Sequence, residues 1–473
     1  MGTSLGVRAM QVAGTLALTH YLDPREIGEV NNAAILLISA MRFSQIGIPQ
    51  YLVTRKVHKR DVAWHATILL VSTSALAIFG VTLLGKPLSL ALKAPGMNLY
   101  LPWLAGAVFL MAVGVIPDRL MRRELRFKEA SLIRTGSELS YTVGSVVAAA
   151  VGIGPMAIVI GNALRSSLYL IAMTVKIRPS EWMRPHPLSR ATIADMMAYG
   201  LPFMMATIMV VASQTWDNLL MSALYGPAVA GAYALAYSLA DIPATQVGEQ
   251  ISDVLTPSLI HLSPSDRRKV LVQSTAMLSL IVFPLAVGLG AVAKTLVSTL
   301  LRNAWSMVAP MLSILAFLSV VRPIGWTIGS YLSVQGRTKT IMWLSLINVV
   351  ALFSSMGLLG YWFGPLAACY GVGIGFSIHA LGSIWVVRQS EGIPLLAFLG
   401  ATMPPLVASA ALAVAVFVAR RWLTPHLPDF RGVALLVELL AGGIAYVVVV
   451  AAVSPRTLAE LLQLVRIARS TSP

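Results

Sequence analysis

The sequence is short of charged residues, and this shortage excludes most classes of soluble protein. Charged residues make up 11% of the 473 positions and hydrophobic residues make up 57%, whereas an average soluble protein has about 25% charged residues. The 35 basic and 19 acidic side chains cannot cover the surface of a soluble protein of this length. A soluble enzyme, a secreted disulfide scaffold and a disordered protein are therefore excluded, and the sequence predicts an integral membrane protein with many spans.

Cysteine and cofactor motifs are also scarce. The single cysteine, Cys369, has no partner for an internal disulfide bond. The only Gly-Lys pair, Gly85-Lys86, is followed by Pro87, so a phosphate-binding P-loop is absent, as is an H-E-x-x-H zinc motif. We therefore expect no cofactor, no metal site and no enzymatic activity. Energy would have to come from an ion gradient, of H⁺ or Na⁺, or from consumption of a substrate on the far side of the membrane.

Fourteen apolar stretches are long enough to cross a bilayer, since a helix needs about 20 mostly apolar residues to span the hydrocarbon core. The polar segment 176–195 is the longest break inside the chain. The predicted spans are 2–22, 30–51, 62–85, 98–118, 132–151, 155–175, 196–223, 228–257, 270–292, 305–332, 340–362, 364–387, 394–419 and 432–453.

The distribution of Lys and Arg predicts the orientation of these spans. If the N-terminus is cytoplasmic, the cytoplasmic loops and tail carry 22 of the 35 basic residues and the external loops carry 8. Basic residues are enriched in cytoplasmic loops of membrane proteins, so both termini are expected on the cytoplasmic side. The net charge of +16 is then a signal of topology, and no nucleic-acid partner is expected.

A short Pro/Gly motif occurs twice at equivalent places in the span order. Pro24 and Gly28 follow the first span, and Pro227 and Gly231 follow the seventh span with the same spacing, 203 residues later. Basic loops after the fourth and tenth spans repeat at a similar offset. This pattern predicts two six-span repeats joined by 176–195, with two extra spans at the end, and repeats of this kind place a substrate between the two halves.

Four segments carry a resemblance to a known family, in the expected order and spacing. They are LALTHYLDPREIGEVNNAAILLISAMRFSQIGIPQYLVTRK (16–56), RELRFKEASLIR (123–134), DNLLMSALYGPAVAGAYALAYSLADIP (217–243) and LSVQGRTK (332–339). Together they resemble the polysaccharide biosynthesis flippases of the multidrug/oligosaccharidyl-lipid/polysaccharide (MOP) exporter superfamily, in particular its Wzx-type branch. The resemblance covers residues 1–390. The segment before the first span is unusually short for this family, which suggests a truncated start.

The resemblance implies a fold and an activity. The expected fold is an all-α polytopic membrane protein of about 14 transmembrane helices, with two six-helix lobes in a V-shaped arrangement and two further C-terminal helices. The expected parts are an N-lobe (1–175), a cytoplasmic linker (176–195), a C-lobe (196–388), and a C-terminal segment (389–473) that ends in an amphipathic cytoplasmic tail. The expected activity is transfer of an oligosaccharide linked to undecaprenyl pyrophosphate across the inner membrane, with polysaccharide polymerase or export machinery as possible partners.

Charged and polar residues inside apolar spans form the candidate site, because such residues are expensive in hydrocarbon and mark the path of a polar substrate. Guanidinium groups bind phosphate oxygens in a bidentate way, and amides hydrogen-bond to sugar hydroxyls. The predicted substrate-binding residues are Arg8, Arg42, Arg322, Asp217, Asn218, Gln45 and Gln246. Arg134 and Arg165 are expected to be interfacial or paired instead.

Carboxylates inside the spans are candidates for binding a coupling ion. A buried carboxylate needs an ion-pair partner, a proton or a bound cation. The predicted coupling-ion residues are Asp217, Asp241, Glu249 and Glu138. For each of them, and for each intramembrane arginine, a purely structural ion pair is the alternative interpretation.

Two other functions remain open on the sequence alone. A cation-coupled multidrug exporter of the same superfamily would have nearly the same fold. A polytopic enzyme acting on lipid-linked sugars is disfavoured, because such enzymes usually need a sizeable extramembrane loop, and 176–195 is the longest internal one.

Overall fold

The computed structural model describes residues 2–54, 59–242, 264–426 and 430–454. Every regular element in these ranges is a helix, which confirms the all-α prediction. The chain divides into two compact units, Met1–Ala232 (unit 1) and Tyr233–Pro473 (unit 2). The predicted amphipathic tail after 454 lies outside the described residues.

Unit 1 is a bundle of long helices with a few short ones. Its helices are α1 (Gly2–Tyr21), α2 (Pro24–Ser44), α3 (Ile48–Thr54), α4 (Lys59–Leu83), α5 (Gly85–Ala91), α6 (Met97–Arg123), α7 (Phe127–Ala150), α8 (Met156–Lys176), α9 (Arg190–Val211) and α10 (Asp217–Tyr225). α11, described over 227–242, starts in unit 1 and continues into unit 2.

The repeated Pro/Gly motifs lie against each other inside unit 1. Pro24 occupies the first turn of α2, where its missing N–H leaves no bond unmade. Gly28 faces the carbonyl of Pro227, and Gly231 faces the carbonyl of Pro24. A Cβ atom on either glycine would overlap the opposite carbonyl oxygen, so only glycine allows this backbone-to-backbone approach.

The segment between α8 and α9 is held to the side of unit 1. It contains a 3₁₀ turn, Pro179–Glu181, followed by Trp182, which is fully buried. The Thr67 hydroxyl donates to the Trp182 carbonyl at 3.1 Å, and the Ser189 amide donates to Nε2 of His65 at 2.8 Å. This connection therefore lies against α4 over these residues.

Unit 2 is organised around one very long helix. Its helices are α12 (Pro264–Leu300), α13 (Val308–Leu318), α14 (Arg322–Val334), α15 (Thr338–Phe363), α16 (Pro365–Glu391), α17 (Leu395–His426) and α18 (Arg431–Val453). The chain between α13 and α14 tightens into a 3₁₀ turn just before Arg322-Pro323. The predicted tenth span is thus two helices, broken where proline removes a backbone donor.

The described residues include ten helical segments that are long and apolar enough to cross a membrane. They are Val62–Leu83, Met97–Arg123, Met156–Lys176, Arg190–Tyr225, Asp266–Leu300, Val308–Val334, Thr338–Phe363, Pro365–Glu391, Leu395–Leu423 and Arg431–Val453. The protein is therefore a multi-pass membrane protein. The remaining predicted spans overlap α1, α2 together with α3, α7 and the described part of α11, and the count of fourteen stays a prediction.

Candidate functional site

A charged cavity lies inside the helix bundle of unit 1. Its volume is about 240 Å³, and helices α2, α6, α7 and α8 form its walls. We call it the arginine cavity. Its lining residues are Met41, Arg42, Gln45, Met111, Val115, Asp118, Arg119, Arg134, Ser137, Glu138, Arg165, Ser166 and Tyr169.

Helical periodicity brings these side chains to the cavity. Side chains four positions apart share one face of a helix. α7 presents Arg134 and Glu138 at this spacing, and α8 presents Arg165 and Tyr169. Charged residues separated by about thirty positions in sequence therefore converge, because the helices that carry them are neighbours.

Asp118 is the acidic centre of the arginine cavity, and three arginines surround it. Its Oδ2 atom accepts a hydrogen bond from Nη2 of Arg134 at 2.7 Å. The same oxygen lies 3.4 Å from Nε of Arg122 and 3.8 Å from Nε of Arg119. The Asp118 side chain is only 1% exposed, so these cations replace the water that would otherwise solvate its charge.

Glu138 is the second carboxylate of the cavity and has one arginine beside it. Its Oε1 atom lies 3.5 Å from Nη1 of Arg165, and its Oε2 atom accepts from the Gln11 amide at 3.0 Å. Arg165 also donates to Oδ1 of Asn162 at 2.8 Å and lies over the Tyr141 ring, 5.3 Å from its centre. These contacts fix the Arg165 guanidinium on the cavity wall.

The arginine cavity has more positive than negative charge. Its lining contains four arginines and two carboxylates. Arg42 is exposed and makes no ion pair with any residue that the structure describes. Within the same described part of the chain, the buried Nε atoms of Arg119 and Arg165 have no hydrogen-bond partner. The excess of cations on the wall favours binding of an anion with several oxygen acceptors.

The structure brings three of the predicted site residues together: Arg42, Gln45 and Glu138. Arg134 and Arg165, expected to be interfacial or paired, line the same cavity and are paired with Asp118 and Glu138. Sequence reasoning missed Asp118, Arg119 and Arg122, because Arg119 and Arg122 read as basic loop residues that set orientation. The available signal was the i, i+4 pairing of Asp118 with Arg122 at the end of an apolar span.

Two further predicted residues pair with each other in unit 2. Arg322 forms an ion pair with Asp241. Its guanidinium also lies 4.9 Å from the ring centres of both Trp326 and Phe376. The Arg322 side chain is 14% exposed, so it is largely enclosed by its carboxylate partner and two aromatic faces.

Asp217 and Asn218 are buried next to a distortion of the seventh predicted span. A five-residue π-helical segment, Ala212–Trp216, precedes them, and such segments often occur at functional positions. Oδ1 of Asp217 accepts from the Asn218 backbone N–H at 2.9 Å and from its side-chain amide at 3.0 Å. Oδ1 of Asn218 is buried and has no partner in the described part of the chain.

Three predicted site residues cannot be placed in a site. Gln246 and Glu249 lie outside the described residues. Arg8 belongs to α1, but its side chain is outside the described part. No group of three His, Cys, Asp or Glu side chains that could hold a metal ion occurs among the residues that the structure describes.

An ion-pair cluster lies at the first turn of α7, outside the predicted spans. Glu129 accepts two hydrogen bonds from Arg126, at 2.9 and 3.0 Å, and lies 3.1 Å from Nζ of Lys176. Hydrogen bonds from Arg126 and then from Lys176 lower the pKa of Glu129 to about 2. This cluster ties the end of α8 to the start of α7 and is exposed to solvent.

This chain is similar to curated proteins of polysaccharide biosynthesis, among them WzxC and ExoT. The lipopolysaccharide biosynthesis protein WzxC of Escherichia coli is 24% identical over 366 residues, which is 76% of this chain and 72% of WzxC. The succinoglycan biosynthesis transport protein ExoT of Rhizobium meliloti is 22% identical over 463 residues, which is 95% of this chain and 90% of ExoT.

The solved structures establish the fold. The lipid II flippase MurJ, in its inward closed conformation, matches with a TM-score of 0.74 and 12% identity over 95% of this chain and 97% of MurJ. An inward-facing MATE family multidrug transporter of the MOP superfamily matches with a TM-score of 0.66 and 14% identity over 81% and 94%. The chain therefore has the all-α fold of MOP transporters, as the resemblance implied. The model of the polysaccharide biosynthesis protein family matches residues 17–310, so the chain belongs to that family.

Proposed function

We propose that the protein is a flippase that moves oligosaccharide repeat units, linked to undecaprenyl pyrophosphate, across the bacterial inner membrane. The product would feed capsule, exopolysaccharide or O-antigen synthesis. Relatives named for lipopolysaccharide and succinoglycan biosynthesis support this activity, as does the fold shared with a lipid II flippase. These proteins are named for biosynthesis, transport and flippase activity, which favours a transporter over an enzyme. The observation that carries the proposal is the arginine cavity with its excess positive charge.

The chemistry of the substrate explains why such a cavity is needed. Each unpaired polar group costs roughly 2–7 kcal/mol in an apolar medium, and a pyrophosphate carries charge as well. The isoprenoid tail can stay in the bilayer, but the head needs a polar path. In the proposal, the cavity of about 240 Å³ holds the pyrophosphate group, and the sugars of the head lie outside it.

We assign different roles to the arginines of the cavity. Arg42, which has no ion pair in the described part of the chain, would bind the ligand directly, whereas Arg119 and Arg165 add positive charge to the wall. Bidentate guanidinium–phosphate hydrogen bonds are the strongest that these groups can form. Asp118 keeps Arg134 in place, and Gln45, which lines the same cavity, would bind the first sugar.

The coupling mechanism is the second part of the proposal. We propose alternating access between the N-lobe (1–175) and the C-lobe (196–388), joined by 176–195, with H⁺ or Na⁺ as the possible coupling ion. Because Asp241 is paired with Arg322, a cation could occupy that carboxylate only when the pair opens. Asp217, Glu138 and Glu249 are the other proposed ion carriers, and residues 389–473 would add the last two spans and the tail.

The proposed location follows from the charge distribution. The excess of Lys and Arg in alternate loops favours an inner-membrane protein with both termini in the cytoplasm. In this orientation the end of α6 and the start of α7, which are basic, face the cytoplasm. The arginine cavity near them then lies in the cytoplasmic half of the bilayer. Newly made lipid-linked units are presented from that side. Polysaccharide polymerase or export machinery would act on the opposite side.

A transport assay tests the proposal. The purified protein is reconstituted with a short-chain isoprenyl pyrophosphate that carries a sugar, and the fraction accessible to an external glycosidase is followed over time. We expect Arg42→Gln to slow transfer by at least about tenfold, the effect of losing one charge-assisted contact. Arg178→Gln is the matched control, since Arg178 is exposed outside the cavity. Equal transfer by wild type and Arg42→Gln would remove Arg42 from the mechanism.

A multidrug exporter remains the second candidate, because the MATE transporter has the same fold. The same proteoliposomes distinguish the two functions. Cation-driven efflux of a fluorescent drug, without transfer of the isoprenyl substrate, would favour the exporter. Transfer of the isoprenyl substrate without drug efflux favours the flippase.

A further inference from the structure

A second basic cavity lies in unit 2, and the function proposed above does not use it. Its volume is about 500 Å³. It lies where α12 ends and α13 begins, beside α17. Its cationic lining residues are Lys294, Arg302 and Arg420. We call it the α12–α13 cavity.

Two helices form one side of the cavity. Gly290 and Ala291 on α12 and Ala309 and Ser313 on α13 all line it. The Ser313 hydroxyl donates to the Gly290 carbonyl at 2.6 Å, which holds the two helices together. The connecting turn is anchored by Trp305, which is fully buried. The packing of these helices therefore forms the cavity.

The cations in this cavity are not all neutralised. Arg420 is bound to Glu438, with its Nε 3.0 Å from Oε1 and an Nη 2.9 Å from Oε2. Glu438 is 1% exposed and also accepts a hydrogen bond from the Thr295 hydroxyl at 2.8 Å. Its negative charge is therefore paired with Arg420 and does not neutralise Lys294. Lys294 is exposed and has no ion pair or hydrogen bond within the described ranges. Among the residues that the structure describes, no carboxylate lines the cavity itself.

The position of the cavity fits a ligand at the membrane surface. α12 has 37 residues, whereas about 20 residues cross the hydrocarbon core, so its last turns reach the depth of lipid headgroups. If both termini are cytoplasmic, as proposed above, the cavity faces the outer side of the membrane. Only this step of the argument rests on the proposed function. Lys294, Arg302, Arg420 and the nearby Arg431 are then half of the eight basic residues on that side. Basic residues are normally rare there.

We propose that the α12–α13 cavity binds a phosphate anion at the outer membrane surface. Lys294 and Arg302 would contact the phosphate oxygens, and the side chains of Asn303 and Ser306 at the rim can donate further hydrogen bonds. Val297, Leu301 and Phe417 give the cavity an apolar side that suits the glycerol or acyl part of a lipid. The phosphate can come from the headgroup of an acidic phospholipid or from free phosphate.

Native mass spectrometry of the purified full chain in detergent tests this site. The probes are dioleoylphosphatidylglycerol, zwitterionic dioleoylphosphatidylcholine as the reference lipid, and inorganic phosphate as a competitor. We expect the double variant Lys294→Gln/Arg302→Gln to raise the Kd for phosphatidylglycerol by about tenfold, which equals about 1.4 kcal/mol. Lys339→Gln, an exposed lysine elsewhere in unit 2, should leave that Kd unchanged.

The competitor identifies the source of the phosphate. Displacement of phosphatidylglycerol by millimolar phosphate shows that the anion alone is recognised, and resistance to phosphate shows that the lipid is the ligand. Unchanged lipid affinity in the double variant, or equal affinity for phosphatidylcholine, overturns the proposal. Because Arg42 is not altered, a failure here is separate from a failure of the transport assay.

Discussion

The substitution Asp118→Asn provides a stringent test of the arginine cavity. The asparagine side chain keeps the shape of the aspartate but removes the negative charge that three arginines share. The hydrogen bond from Arg134 at 2.7 Å is charge-assisted and contributes about 1.5–3 kcal/mol. The contacts with Arg122 and Arg119 are longer and involve partly exposed guanidinium groups, so each contributes only about 0.2–1 kcal/mol.

The sum predicts that Asp118→Asn lowers the free energy of unfolding by about 2–5 kcal/mol. The measurement is equilibrium unfolding in mixed micelles of dodecylmaltoside and dodecylsulfate, followed by circular dichroism. Glu124→Gln is the matched control: Glu124 is 33% exposed and contacts Arg126 at 3.4 Å. As a surface ion pair, it should contribute no more than about 1 kcal/mol.

Pyrophosphate adds a second readout to the same experiment. Without Asp118 the cavity gains one unit of net positive charge, so inorganic pyrophosphate should stabilise Asp118→Asn more than it stabilises the wild type. Asp118→Asn with wild-type stability would refute the charge balance described here. Equal stabilisation of both proteins by pyrophosphate would show that the anion binds elsewhere.

Three further outcomes are expected. Gly28→Ala should destabilise the protein by more than about 1 kcal/mol in the same unfolding assay, because the new methyl group overlaps a carbonyl oxygen of the facing helix. Gly136 has open space around it, so the control Gly136→Ala should not destabilise the protein. A double-mutant cycle of Arg322→Ala and Asp241→Asn should give a coupling energy of about 1–3 kcal/mol in unfolding measurements, and additive effects would contradict the ion pair. Because the pKa of Glu129 is lowered to about 2, its stabilising contribution should be complete above its usual pKa of 4.5. That contribution should decline as the pH falls toward 2. In Glu129→Gln, the free energy of unfolding should therefore fall less steeply between pH 4.5 and 2 than it does in the wild type. The same dependence on pH in both proteins would contradict this.

Hydropathy predicts the helices well, because the cost of exposing backbone in lipid leaves a long apolar segment few alternatives to a helix. The predicted span 155–175 and the helix Met156–Lys176 differ by one residue at each end. Hydropathy is less informative where charge enters a helix. The fourth predicted span ends at 118, but α6 continues to Arg123. Its last two turns carry Asp118 and Arg119 into the cavity.

The partners of a charged residue are the part that the sequence does not reveal. Arg322 and Asp241 are 81 positions apart, and their pairing depends on how α11 and α14 lie together. The repeated Pro/Gly motif is an intermediate case. Its spacing indicated a duplication, yet only the structure brings Gly28 and Gly231 into contact. Short-range signals such as i, i+4 pairs are readable in sequence, whereas convergence of separate helices is not.

The central claim is that the arginine cavity of unit 1 holds the pyrophosphate of a lipid-linked sugar. Its most direct test is equilibrium binding of a short-chain isoprenyl pyrophosphate sugar to the purified full chain, measured by calorimetry. The double variant Arg42→Gln/Arg165→Gln should bind at least about tenfold more weakly than the wild type, while Arg178→Gln should bind as the wild type does. Undiminished binding by the double variant would contradict the claim.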